Sequence, residues 1–325
     1  MSTSATRMLV VTLGGLFALS EGRTPEFKVP GPKERLEAIG ETRELPDTLR
    51  RALDPGDDFE PVPEPGSIDW LAVHKEEGQT FAAFRKAPRN IPTKARSTIY
   101  LQPMGEFTGE GNPSLETLQE FASAFFCMEV KVLKKLPLGE KDFSPRKNSF
   151  SGKRQILTGD VLKFLGTKLT DDAFCLLAVT MEDLYPDPSW NFVFGQASLR
   201  GRTGVYSFVR YDPAFYGGKR EKGYEKLILR RSSKVLAHEA GHMFGVLHCV
   251  FYACLMNGSN HLDEADSRPL HLCPVCLRKL QSSIQFDVVD QYRKLDRFYT
   301  KVGFEDESRW LKRRLQWIEG GAKKR

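Results

Sequence analysis

The first chemical signal in the sequence is the pentapeptide His238-Glu239-Ala240-Gly241-His242. On a helix, positions four apart lie one above the other, so both imidazoles face the same way and can share one cation. Gly245 follows, a residue able to take the left-handed conformation that ends a helix, and the turned chain brings back His248 as a third nitrogen. Three neutral nitrogens leave a tetrahedral zinc with one open position for water, which is the catalytic pattern. Water bound there is acidic enough to supply hydroxide near neutrality. Glu239 sits one residue along from the first ligand, where it can take that proton as general base and deliver it to a leaving amine. An HExxH alone is a moderate signal. The extended form H-E-x-x-H-x-x-G-x-x-H is much more specific, because the glycine and the third histidine must also coincide. Met256, eight residues after His248, stands where this motif is followed by a methionine turn beneath the metal.

A second constellation starts at the next residue. Cys249 and Cys254 are spaced C-x4-C, and Cys273 and Cys276 are spaced C-x2-C. Four thiolates in two close pairs make a closed tetrahedral site that suits structural zinc. Disulfides are the competing reading, and the two short pairs fit metal clamps better. In an extended segment His248 and Cys249 point to opposite sides, so one backbone stretch can serve two metals without mixing their ligands. The expectation is two Zn2+ per chain, one catalytic and one structural. Cys127 and Cys175 follow phenylalanines in apolar runs and read as inert core thiols. His261 and His271 lie between the cysteine pairs and are expected to be exposed or structural, since both metals are already supplied.

Residues 238–276 resemble the archaemetzincins, metzincin-clan zinc peptidases that carry a four-cysteine zinc site beside the catalytic motif. Here the pattern reads HEAGHMFGVLHC, VFYA, CLM, sixteen residues, then CPVC. The stretches STIYLQ, SWNFVFGQASL, GSNHLDEAD and CLRKLQ extend the resemblance over residues 91–295. It implies a zincin-like fold, a monomer, and activity on peptides of aminopeptidase type. By motif position it implies His238, His242 and His248 as catalytic zinc ligands, Glu239 as general base, and the four cysteines on a second zinc.

These residues need elements to hold them. The run from Leu227 through Gly241 has helix-compatible composition and no proline, so an active-site helix is expected there. Upstream, residues 97–102 and 128–133 read as strands, and residues 173–181 as a strand buried on both faces. Residues 190–199 and 205–211 alternate and are expected to pair as a hairpin or edge pair. Asn112-Pro113 offers a helix start, with apolar residues from Leu115 to Phe126 on one side. Residues 134–154 read as a basic loop. The expected fold class is α+β, a mixed sheet with the active-site helix and a C-terminal zinc-clamped subdomain.

Four segments are expected: a signal-like or variable stretch at 1–20, a Pro- and charge-rich extension at 21–96, the peptidase domain at 97–295, and an amphipathic helix with a basic tail at 296–325. Leu311, Leu315 and Ile318 make the apolar stripe of that last helix, read as docking on the body rather than on a membrane. No apolar run approaches the roughly 20 residues needed to span a bilayer. The net charge of +6 is too small over 325 residues to argue for nucleic acid. Zinc thiolates favour a reducing compartment, so the cytoplasm is expected, with the nucleus accessible to the same protein. The reading from another class is a zinc-stabilised peptide-binding module with little turnover; the intact Glu239 favours the enzyme.

Overall fold

The computed structural model describes residues 27–320. The signal-like stretch at 1–20 and the basic residues at the C-terminal end lie outside the described residues. Regular structure begins well before residue 97, with four short helices: α1 (Pro32–Ile39), α2 (Asp47–Ala52), α3 (Trp70–Val73) and α4 (Phe81–Lys86). Helices of four to eight residues are marginal in isolation and form where tertiary contacts hold them. The contacts are specific. Arg278 donates to the Ile39 and Glu41 carbonyls. Arg314, fully buried, donates to the carbonyls of Arg51, Ala52 and Asp54. Asn90 donates to the carbonyls of Leu199 and Met243. Residues 27–96 therefore wrap the body rather than trail from it.

The body opens with β1 (Thr98–Met104), α5 (Leu115–Phe126), β2 (Glu129–Val132), β3 (Arg146–Lys147), β4 (Arg154–Leu157) and α6 (Thr158–Gly166). The cap of α5 is Ser114, whose hydroxyl accepts from Thr117 N–H at 3.1 Å, so the helix starts two residues later than Asn112 suggests and Pro113 stays outside it. The basic stretch at 134–154 is mostly irregular, as expected, but contributes β3 to a small sheet. Then come β5 (Ala173–Thr180), β6 (Asp183–Tyr185), β7 (Gly195–Ser198) and β8 (Thr203–Ser207). The main sheet has the order β2-β1-β5-β8-β7, parallel except for the β7–β8 hairpin. β5 is buried at every residue, which explains its unbroken apolar run. A second sheet orders β3-β4-β6.

The remainder is helical: α7 (Tyr224–Met243), α8 (Leu262–Ser267), α9 (Pro274–Ile284), α10 (Val288–Val302) and α11 (Glu305–Gly320). α7 lies against α5, β7 and β8, and its second half is buried on all sides. α10 runs unbroken across residue 296, and α11 carries the expected stripe, with Leu311 and Ile318 buried against the body. Trp310 stacks on His271 at 3.7 Å and meets Phe59 edge-on at 5.4 Å, so α11 also clamps the wrapped N-terminal segment. Among the described residues, no helix is long and apolar enough to cross a membrane. The result is a mixed α+β fold whose central helix crosses one face of the sheet.

Candidate metal centre

α7 ends at Met243, and Gly245 at φ +82° turns the chain away from the helix axis. That conformation favours glycine, and a Cβ there would also sit 2.8 Å from the Cβ of Arg89. The turn brings His248 back to the helix. The nitrogens of His238, His242 and His248 all lie within 4.8 Å of one another, and all three residues are buried. Ring centroids stand 4.7, 5.3 and 5.3 Å apart.

The hydrogen bonds decide what these rings can do. His238 Nδ1 faces the Leu255 carbonyl at 2.9 Å, and His242 Nδ1 faces the Val246 carbonyl at 2.6 Å. A carbonyl only accepts, so each Nδ1 carries the proton and each Nε2 is left with a bare lone pair. His248 Nδ1 meets a carboxylate, Glu76 Oε1, at 2.7 Å, with the same consequence. Two bare nitrogens, His238 Nε2 and His242 Nε2, then face each other at 3.0 Å, an arrangement that repels unless a cation lies between them. Protonation is disfavoured: burial, followed by the neighbouring His248, lowers His238 to about 3. Burial, followed by His238 and His248, lowers His242 well below its ordinary value. The donor set fits a divalent metal ion, not a proton.

Glu239, the next residue after His238 on α7, is fully buried. Both its carboxylate oxygens and His248 Nε2 are buried with no hydrogen-bond partner among the described residues. Burial pushes the carboxyl up to about 8, and a nearby cation acts in the opposite sense. β7, the outer strand of the main sheet, passes beside it: a Cβ added to Gly195 would lie 3.5 Å from the Glu239 carboxyl carbon. Below the helix, a Cβ on Gly241 would strike the Met256 sulfur at 2.8 Å, so the methionine turn packs directly under the motif. Beside His238 lies a small recess of water size, lined among others by Tyr211, Leu255, Asn257, Ser259 and Arg268.

The four cysteines form a separate cluster that begins at the residue after His248. Their sulfurs lie within 4.8 Å of one another, and all are buried. Cys249 Sγ and Cys273 Sγ stand 3.5 Å apart, and every cysteine is free, so the disulfide alternative is not realised. Backbone N–H groups of Met256 and Cys273 donate to Cys254 Sγ at 3.4 and 3.2 Å. Burial opposes ionisation of Cys249, but hydrogen bonds from the other three thiols outweigh it and hold Cys249 well below the ordinary range. Cys254 and Cys273 are raised, burial first. A dication is the partner that would let buried thiols so close together ionise jointly.

A third group, Asp69, His261 and Glu264, also brings its ligand atoms within 4.8 Å. Its acceptors are already used. His261 Nε2 pairs with Asp69 at 2.9 Å, His261 Nδ1 accepts from Glu264 N–H, and Glu264 accepts from the N–H groups of Trp70 and Asn260. This is a structural cross-link, in keeping with the role expected of His261. His271 is likewise structural, stacked on Trp310. Burial raises Cys175 beyond the thiol range and Cys127 to about 11, which leaves both unreactive.

Glu76, Trp70 and Gly195 are the residues at the site that the motif did not signal. Glu76 is 172 positions from the histidine it meets, and no local spacing announces such a pair.

Known proteins resemble this chain over most of its length. Residues 151–282 match the model of Peptidase family M54. Archaemetzincin-2 of Macaca fascicularis is 39% identical over 303 residues, covering 85% of this chain and 81% of the relative. Archaemetzincin-2 of Homo sapiens is 39% identical over 288 residues, covering 80% and 79%. The crystal structure of archaemetzincin from Methanopyrus kandleri superposes with a TM-score of 0.46 at 32% identity, covering 60% of this chain and 99% of that one. Likeness of this extent to the curated relatives places the chain in the archaemetzincin family of zinc metallopeptidases.

Proposed function

We propose that the chain hydrolyses peptide bonds at the three-histidine site, with Glu239 as general base, and that the four cysteines hold a second, structural zinc. The observation that carries this reading is three bare Nε2 atoms brought together, with an unpartnered buried carboxylate at the next residue of the helix that carries two of them. His238, His242 and His248 would hold the catalytic zinc; Cys249, Cys254, Cys273 and Cys276 the other. When bound, the catalytic zinc supplies Lewis acidity and makes adjacent water a better nucleophile. Glu239 cannot easily share that ion with the histidines, because it leaves the helix about 100° round from His238. It takes the proton of the attacking water and returns it to the leaving amine. Burial around Glu239 and the close approach of β7 keep bulk water from competing for that proton.

β7 is the outer strand of its sheet and offers the extended backbone along which a peptide can align beside Glu239. Aminopeptidase-type cleavage of small peptides is the mode we assign. The test is a zinc-loaded preparation incubated with a mixture of free and N-acetylated peptides, read by mass spectrometry. Removal of single N-terminal residues from the free peptides, abolished by chelation and restored by zinc, is the expected result. Equal cleavage of N-acetylated peptides would overturn the aminopeptidase mode; no cleavage of either set by the zinc-loaded protein would overturn the peptidase assignment of the site.

A further inference from the structure

The three histidines are held in different ways. His238 and His242 stand one turn apart on α7, and each gives its Nδ1 proton to a neutral backbone carbonyl. His248 lies beyond the end of the helix in an irregular segment, with no helical backbone to fix its ring. Its support comes from the other end of the chain. Glu76 Oε1 takes the Nδ1 side at 2.7 Å, and Trp70 meets the ring edge-on at 5.0 Å, itself stacked against His74 at 3.8 Å.

The segment bearing Glu76 is seated accurately against the one bearing His248. Gln79 uses both ends of its amide, Nε2 donating to the Gly245 carbonyl and Oε1 accepting from Leu247 N–H, each at 3.2 Å. Gly78 has φ +76°, and a Cβ there would lie 2.5 Å from Val250, so only glycine allows so close an approach. Residues 76–79 are thereby zipped to residues 245–250 on both sides of His248. The only carboxylate bonded to any of the three imidazoles among the described residues is the one this zip delivers.

Resting on the three-histidine reading above, we propose that Glu76 is a positioning residue for the catalytic metal: its carboxylate fixes the Nδ1–H tautomer and ring plane of His248. It also adds the negative charge that strengthens the third donor. A carboxylate behind a metal-bound histidine sets both ring orientation and donor strength, and its loss typically weakens metal binding about 10–100-fold. The wrapped N-terminal segment is on this account part of the active site and not only a covering.

The experiment uses the full chain loaded with cobalt(II). Cobalt affinity at the three-histidine site is measured by competition with a chromophoric chelator, and the thiolate charge-transfer band of the cysteine site serves as an internal control. Glu76→Gln keeps size and an acceptor oxygen but loses the charge; Glu76→Asp keeps the charge on a shorter arm. The expected result is an affinity at the histidine site about 10–100-fold weaker in Glu76→Gln, with an altered visible d–d spectrum and an unchanged thiolate band, and partial rescue in Glu76→Asp. Wild-type affinity and spectrum in Glu76→Gln would overturn the proposal. So would a Glu76→Gln protein that loses melting temperature without metal yet binds cobalt normally once folded, since that describes a purely structural residue. Wild-type protein showing the thiolate band but no histidine-site cobalt would overturn the underlying site assignment instead.

Discussion

At Gly245 the backbone conformation and the lack of space act together. The residue takes φ +82°, and any Cβ meets Arg89 at 2.8 Å and the Pro88 carbonyl at 3.2 Å. Gly245→Ala is therefore expected to cost about 1–3 kcal/mol, the range for a side chain forced into left-handed backbone with a close contact. Urea unfolding of the two proteins checks it; a change under a few tenths of a kcal/mol would mean the turn relaxes freely. The same substitution shifts the Val246 carbonyl that holds His242 Nδ1, so zinc affinity is expected to fall together with stability. The histidine and cysteine constellations were legible in the sequence because helix periodicity and short loops bring them together locally. The role of Glu76 was not, because it depends on tertiary packing across 172 residues.

The same contrast runs through the elements. The long apolar strand β5 and the proline-free helix α7 could be read from composition and period, and so could the β7–β8 hairpin. α1 to α4 could not, since they are only four to eight residues long and depend on partners far away in sequence: Arg278 of α9 on the end of α1, Arg314 of α11 on the end of α2, and Glu264 on the first N–H of α3. α11 is the element where this dependence can be measured. Trp310 is buried against His271, Phe59 and Tyr292, and its indole N–H donates to the Asp58 carbonyl at 3.1 Å. Trp310→Ala is expected to destabilise the protein by about 3–5 kcal/mol, the usual range for an aromatic removed from a core. Hydrogen exchange should show the loss in two places at once, in α11 and in the residue 51–62 segment it clamps. Loosening confined to α11 would contradict the clamp.

Across the whole molecule, two donor sets of different charge and openness predict two metals of different lability. Four buried cysteines would close around a zinc as a doubly negative cage, whereas three neutral imidazoles would leave one position open on theirs. A chelator is expected to remove one zinc quickly with all activity, and the second only slowly, with loss of folded structure. Elemental analysis during chelation follows both steps, and a single kinetic phase releasing both ions with unfolding would contradict the separation. Cys273→Ser should resemble the second step from the outset, because it opens the cage that anchors the chain between Met256 and α9.

In the proposed reaction Glu239 moves the proton while the histidines hold the metal. The most direct measurement compares zinc content and turnover of wild type and Glu239→Gln on the same confirmed peptide. Gln fills the same buried space but cannot take a proton from water. Equal zinc per chain, equal melting behaviour and a turnover lower by about 10²–10⁴ in the variant, the usual contribution of a general base, are expected. A Glu239→Gln protein that keeps its zinc and cleaves the peptide at close to the wild-type rate would contradict that role of Glu239.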